Sequence, residues 1–491
     1  MGVVKVHDVD GPHDLSSVLF FNSLKGERLR ASQYRSSSGP KKPRFHPSRI
    51  VILSFLGAIT VGWILLSLPQ ASTESPLSLT DSLFTATSAT CVTGLIVVDT
   101  GSRFTTFGQV VILALIQLGG LGIMTFSSFF LIVMGRRLSI KHRLVIQQSL
   151  SQVPQKDIFR LVKYVLRFTL VTEALGALVL YAKFVHVYPP TKAAYYAVFH
   201  AISAFCNAGF SLYKTSFVAF QGDLLVNAVM MTMIVLGGLG FFALADVKLL
   251  GRLAGSRTAR KLSLHTKTVF TVTGALILVG TLLVLALEWH NTLVGKPFGA
   301  KLLASFFQSV TPRTAGFNTL FTGELTNPTL FLLIMLMFIG ASPGSTGGGI
   351  KTSTFGILVA LMVARLKGRR NVELFHRTIP LAIVATAISV TALALVTIAI
   401  VTMVLSVTEG GLVFSQMGRG RFLEFLFETT SAFGTVGLST GVTPSLSHLG
   451  KVLISITVFV GRVGPLTLAL AVGQRVGQRR FEYPEENVMV G

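Results

Sequence analysis

The chain has 491 residues, 51% of them hydrophobic and only 13% charged, with a mean hydropathy of +0.67; soluble domains carry about 25% charged residues, so a soluble globular protein is excluded. The formal net charge of +23 does not indicate nucleic acid, because the basic residues gather in short connections between apolar runs. The two cysteines, Cys91 and Cys206, lie in apolar surroundings with no CxxC spacing and no Cys/His cluster, which argues against a zinc site or a disulfide framework.

Residues 1–49, containing "KGERLRASQYRSSSGPKKPR", lack the apolar core of a cleavable signal; a disordered cytoplasmic arm is expected. Apolar segments then fall near 50–68, 107–134, 158–184, 223–250, 266–288, 328–364, 378–406 and 449–474, which predicts eight transmembrane spans. The connections "GRRLSIKHR" (135–143), "GRLAGSRTARK" (251–261), "RLKGRR" (365–370) and the tail "QRVGQRR" (474–480) are strongly basic. The alternate connections are poor in Lys and Arg, so the basic side is the cytoplasmic one and both termini lie inside the plasma (inner) membrane.

Each external connection holds a shorter, mildly apolar segment such as "LTDSLFTATSA" or "KAAYYAVFHAISAF". These are too short to span, and they suit re-entrant half-helices. Irregular backbone at membrane depth survives only inside protein or beside a watery cavity, so re-entrant segments in every external loop imply a pore.

The ends of these segments align as "SATCVTGL" (88–95), "SAFCNAGF" (203–210), "VTPRTAGF" (310–317) and "SAFGTVGL" (431–438). One "small-x-x-small-Gly" string is ordinary helix-packing material. Four in register, each ahead of a full span, are an internal repeat. The expected fold is an all-α integral membrane protein of four span–half-helix–span (M1–P–M2) repeats in pseudo-fourfold symmetry about a central pore. The repeats cover 50–150, 151–262, 263–372 and 373–475, with a cytoplasmic tail at 476–491. A glycine can take φ > 0 and turn carbonyls toward an axis; four such turns form an oxygen ring able to replace the hydration shell of a monovalent cation. The candidate filter is Val92–Thr93–Gly94, Asn207–Ala208–Gly209, Thr314–Ala315–Gly316 and Thr435–Val436–Gly437. Only one glycine recurs per repeat, so one dominant ion site is expected.

The stretch "GASPGSTGGGIKTST" (340–354) has much of a nucleotide-binding P-loop. That motif needs Lys directly after its second glycine, and here Ile350 separates Gly349 from Lys351. As a single helix, 328–364 would run about 55 Å at ~1.5 Å per residue, far more than a ~30 Å bilayer core. The segment is tilted, extended into the cytosol or broken, and the glycines, Pro343 and the Ser/Thr cluster mark where a break falls. A broken inner helix below the filter suits a mobile gate built from Gly340, Ser342, Pro343, Gly344, Ser345, Thr346, Gly347, Gly348, Gly349 and Lys351. Arg462, near the middle of the last apolar segment, is a functional candidate by default, expected to face the pore as a positive barrier. Glu173 and Glu428 are membrane-embedded or filter-adjacent carboxylates; for Glu428, in the fourth half-helix, a strut for the filter backbone is as good an account as ion contact, and His200, in the second half-helix, is expected to be structural.

The chain resembles the Trk/Ktr/HKT superfamily of potassium transporters over residues 50–475, on "TPRTAGFNT" (311–319), "ETTSAFGTVGLSTG" (428–441) and "GRVGPLT" (461–467). Within it the chain is most similar to the KtrB-type membrane subunits of bacterial Ktr systems, because the two extra leading spans of TrkH-type members are absent. The resemblance implies potassium as substrate, sodium as a candidate activator, and an intramembrane gate in repeat three. It also implies a homodimer under a cytosolic KtrA-like nucleotide-binding ring, with no cofactor bound by this chain. In plant members a serine at the first filter glycine accompanies sodium transport; Gly94 therefore implies potassium. The alternatives are a sodium-coupled symporter, a membrane ATPase using 344–352, and a carrier with inverted repeats.

Overall fold

The computed structural model describes residues 47–122, 158–253, 262–410, 416–465 and 467–468. The expected arm (apart from its last residues), the basic connection at 135–143, most of that at 251–261 and the tail after 468 lie outside the described residues.

Helices dominate: α1 (Pro47–Leu66), α2 (Leu79–Thr90), the single turn α3 (Thr100–Arg103), α4 (Thr106–Gly120), α5 (Ile158–Phe184), α6 (Pro190–Phe205), α7 (Leu224–Gly238) and α8 (Phe241–Leu253). They continue with α9 (Leu264–Leu287), α10 (Phe298–Val310), α11 (Asn327–Phe338), α12 (Thr352–Leu366), α13 (Leu381–Gly410), α14 (Gln416–Gly434) and α15 (His448–Val463). Among the described residues the one sheet is a two-stranded antiparallel hairpin, β1 (Glu373–Leu374) with β2 (Arg377–Thr378), between α12 and α13.

Among the described residues three helices are long and apolar enough to cross a bilayer: Val162–Phe184, Leu264–Leu287 and Leu381–Gly410. Their outward faces carry exposed Leu170 and Leu178, Leu278 and Leu282, and Ile400 and Met403, as surfaces solvated by lipid do. The apolar segment expected at 223–250 is not one straight span. It is α7 and α8, bent by 97° at Gly240, whose φ of 87° no helix accommodates. The segment at 328–364 is likewise two helices, α11 and α12, separated by irregular chain at 339–351.

The sequence marks where these helices begin. Ser78, Thr105, Asp223, Ser263 and Ser447 cap α2, α4, α7, α9 and α15 by accepting from backbone N–H groups of the first turn, while Pro190 and Pro328 occupy first-turn positions where no N–H is needed. Side chains then tie helix ends together. Lys183 at the end of α5 pairs with the α7 cap Asp223 at 2.7 Å. Buried Glu288, after α9, accepts from Thr326 N and Oγ1 ahead of α11, both at 2.9 Å. Glu409 in α13 accepts from Ser447 N, ahead of α15, at 3.1 Å.

The helices α2, α6 and α10 have 12, 16 and 13 residues, about 18–24 Å at ~1.5 Å per residue, and none spans a ~30 Å core. Their C-terminal halves are buried although rich in hydroxyls, including Thr87, Ser88, Ser203 and Ser309. Buried hydroxyls at these helix ends and exposed leucines on the long helices depart from the soluble pattern, beside an otherwise apolar core. The interior of this fold is where polar chemistry is concentrated.

Candidate ion pathway

The C-terminal ends of α2, α6, α10 and α14 lead into the four aligned segments. In each, two residues have left-handed backbone: the glycine (Gly94 φ 92°, Gly209 φ 71°, Gly316 φ 75°, Gly437 φ 92°) and the residue two before it (Val92 57°, Asn207 58°, Thr314 76°, Thr435 50°). Three of the latter are β-branched, for which this region is strongly unfavourable. Such strain costs on the order of 1–3 kcal/mol per residue and persists only where the surroundings impose it.

Those surroundings are the other segments. A Cβ placed on Gly94 would lie 2.4 Å from Ala208 O; on Gly209, 2.9 Å from Ala315 O; on Gly316, 2.4 Å from Val436 O; and on Gly437, 2.1 Å from Thr93 O. Each glycine therefore abuts the carbonyl that precedes the next segment's glycine, and the fourth closes on the first. All four glycines line one chamber of about 400 Å³, together with Lys214 and Glu324.

Hydroxyls behind the ring hold it. Ser88 Oγ accepts from Gly94 N at 3.1 Å and donates to Leu95 O at 2.7 Å. Ser203 Oγ donates to Phe210 O at 2.8 Å, and Ser431 Oγ accepts from Gly437 N at 3.1 Å. In the third segment Thr311 Oγ1 does this for Phe317 O, one residue out of step because Val310 stands where the others have serine. The sequence reading missed these buttresses, although the serine six residues ahead of three of the glycines was visible.

A second set of glycines was also missed. Gly119, Gly237 and Gly461 would each place a Cβ 1.9–2.0 Å from a carbonyl at or near the end of the half-helix beside them: Thr90, Phe205 and Phe433. Three residues after each stands a glycine with positive φ, namely Gly122 (78°), Gly240 (87°) and Gly464 (90°). The recurring "LGGLG" at 118–122 and 236–240 was the available signal. It serves both close helix approach and helix termination.

Directly behind the ring lies the loop 340–351. Gly347 and Gly348 sit against the hydroxyls of the strained residues Thr314 and Thr435, where a Cβ would come within 2.0 and 2.4 Å. Gly348 N donates to Thr435 Oγ1 at 3.0 Å. The loop is pinned to the α7–α8 break by Ser342 N to Gly238 O (3.0 Å), Thr346 N to Gly237 O (3.3 Å) and Phe241 N to Gly344 O (2.9 Å). Ser345 Oγ donates to Ser342 O at 2.6 Å, and Ser342 and Thr352 hydroxyls pair at 2.9 Å. Pro343 O lies against Gly240 of that break, and Gly340 packs within the loop against Gly348 O. Lys351 Nζ bonds the carbonyls of Gly347 (2.7 Å) and Gly348 (3.4 Å).

Arg462, near the end of α15, directs its guanidinium to two carbonyls, Thr346 O in this loop and Gly119 O at the end of α4. It stitches the loop to two other helices. Glu428 and His200 each stand nine residues ahead of a ring glycine and play matching parts: Glu428 Oε1 accepts from Thr440 N at 3.0 Å and His200 Nε2 from Leu212 N at 3.2 Å. Both are struts for the chain leaving the ring. Glu173, buried in α5, accepts from Gln117 Nε2 at 3.2 Å and faces Cys206 Sγ at 3.8 Å; it backs the second segment and does not line the chamber.

The family model described as "TrkH: Cation transport protein" matches residues 37–482. The chain is 42% identical to the Ktr system potassium uptake protein B of Bacillus subtilis, covering 91% of this chain and 97% of that one. Its identity to the protein of the same name from Vibrio alginolyticus is 41% (90% and 94%), and to the potassium/sodium uptake protein NtpJ of Enterococcus hirae 36% (92% and 98%). The crystal structure of the potassium transporter TrkH from Vibrio parahaemolyticus superimposes with a TM-score of 0.67 at 18% identity, covering 92% of this chain and 95% of that one, a likeness of fold.

Proposed function

This chain belongs to the TrkH family of cation transport proteins, and from that membership we propose that it takes up potassium across the plasma membrane. The observation that carries the reading is the closed ring in which each of four glycines abuts the next segment's carbonyl, above a single glycine loop. Four equivalent strands of carbonyls on one axis match a monovalent cation better than a divalent one, since they offer partial charges and no carboxylate. The assignments of Val92–Gly94, Asn207–Gly209, Thr314–Gly316 and Thr435–Gly437 as filter, of 340–351 as gate, and of four repeats with eight spans all rest on this reading. Inward movement needs no ATP: a monovalent cation gains about 2.3 kcal/mol per 100 mV.

The gate works by hydrogen bonds that can be exchanged. In the arrangement described, the loop fills the space behind the ring, and Arg462 holds it there through Thr346 O. Opening requires the guanidinium to release Thr346 and the loop to leave Thr435. A homodimer regulated by a cytosolic KtrA-like nucleotide-binding ring, docking on the basic face, would drive that release; the Ktr-system names of two relatives support it. A P-loop role is disfavoured by geometry, because the N–H groups of Ser342, Thr346, Gly348 and Thr352 are already bonded within the protein.

The test is rubidium uptake by purified chain in vesicles and growth of potassium-uptake-deficient cells at low potassium. Rescue and uptake are expected. If neither occurs, even with a partner ring co-expressed, the proposal fails. A second reading, sodium-coupled symport, is favoured by one relative's description as a potassium/sodium uptake protein. Rubidium uptake that requires sodium on the same side, with sodium moving in fixed ratio, would select it.

A further inference from the structure

A second cavity, of about 550 Å³, lies away from the ion pathway between α9 and α12, with the β1–β2 hairpin at one end. The helices are in closest contact at Gly356, where a Cβ would meet Thr268 Cγ2 at 2.9 Å and Val272 Cγ2 at 3.2 Å. The cleft that remains beside this contact is walled by Val272 and Val279 on α9 and by Val359 and Val363 on α12. Val279, Val359 and Val363 are well exposed among the described residues. Apolar walls exposed in this way call for an apolar occupant.

The hairpin end is chemically opposite. Lys367 and Arg369 line the cavity there, within a stretch, "ARLKGRRNVELFHRT", that holds five Lys or Arg and a single acid, Glu373. Glu373 pairs with Arg369 at 3.4 Å between largely exposed groups, a contact too weak to neutralise the cluster. The turn of the hairpin is strained: Phe375 (φ 49°) and His376 (φ 61°) occupy positions that call for Asn or Gly. That turn holds the half-exposed Phe375 ring at the cavity rim, with Lys267 Nζ 6.0 Å from its centroid.

An apolar cleft between two helices, closed at one end by cations and an aromatic ring in a basic connection, is complementary to one class of molecule. We infer that an anionic phospholipid docks here, an acyl chain between α9 and α12 and its phosphate against Lys367 and Arg369. Neutral lipid would fill the walls equally well, so selectivity resides in the two cations. Because α12 starts at Thr352, whose hydroxyl pairs with Ser342 in the loop, the bound lipid also braces the helix on which that loop ends. The binding claim stands whether or not the loop is a gate.

The test uses full-length protein reconstituted in vesicles of equal parts phosphatidylglycerol and phosphatidylcholine, re-extracted, with retained lipid counted by mass spectrometry. Wild type should retain phosphatidylglycerol in preference. Two lost charges near a membrane surface should reduce that preference on the order of tenfold in Lys367→Gln/Arg369→Gln. Val363→Trp, which fills the cleft and leaves the cations, should lower retention of both lipids. Unchanged preference in the charge variant overturns the inference. So does Val363→Trp that leaves retention intact, since headgroup attraction alone needs no cleft. Efficient disulfide cross-linking of Val363→Cys between copies in the same vesicles would show a second chain in the cleft and overturn it as well.

Discussion

The ring at Gly94, Gly209, Gly316 and Gly437 and the loop at 340–351 are both glycine-rich, in contact, and built on different principles. Every ring glycine has positive φ and faces backbone of a neighbouring segment. In the loop only Gly344 and Gly349 have positive φ, whereas Gly347 and Gly348 are glycines because Thr314 and Thr435 stand where a Cβ would go. The ring is anchored by hydroxyls within its own segments, a few residues back in sequence. The loop is anchored by distant residues: Gly237 and Gly238, Thr435, and Arg462, 116 positions from Thr346. Local anchors make a rigid part. Anchors borrowed from several helices make a part that moves when those helices move.

The sharpest way to break this contrast is in the ring. Gly437→Ser combines φ strain with a Cβ 2.1 Å from Thr93 O. Such strain alone is worth about 1–3 kcal/mol, so potassium over sodium preference in competitive uptake should fall on the order of tenfold or more. Gly295→Ala is the control, because its φ is also positive (73°) with nothing within 4 Å. It should lower thermal stability slightly and leave preference alone; equal losses in both would mean that strain, not the ring, is being measured.

Next comes the stitch on the loop. Arg462→Gln removes charge-assisted bonds worth about 1.5–3 kcal/mol each, so flux without a regulatory partner should rise on the order of tenfold while ion preference holds. Unaltered flux would place the gate elsewhere. Lys351→Met should act in the same direction but by only about two- to threefold, a fraction of 1 kcal/mol, because its bonds to Gly347 and Gly348 lie within the loop itself. A Lys351 effect larger than that of Arg462 would reverse the order of anchors argued above.

The contact between the two parts is tested by Gly347→Ala, whose Cβ would fall 2.0 Å from Thr314 Oγ1. It should disturb ion preference as well as flux, since Thr314 is one of the strained filter residues. The smallest effect belongs to the frame. Glu288→Gln should cost about 1 kcal/mol, seen as a lower melting temperature, with selectivity and flux unchanged.

Periodicity and composition made several things legible in the sequence. Apolar runs marked the long helices α5, α9 and α13, because hydrocarbon demands continuous apolar surface and nothing else satisfies it. The aligned glycines at 94, 209, 316 and 437 were legible because a left-handed backbone restricts residue choice at single positions. The break at 339–351 was legible because the run is too long for one straight span and the glycines and Pro343 mark where it gives way. What stayed hidden was contact. The bend at Gly240, the pairing of Gly119 with Thr90 O and the turn of Arg462 toward Thr346 O depend on which helices lie side by side. A sequence records which residues tolerate strain or lipid. Only the packed chain decides which carbonyl each strained residue faces, because that partner stands a hundred or more residues away and is chosen by geometry rather than by spacing.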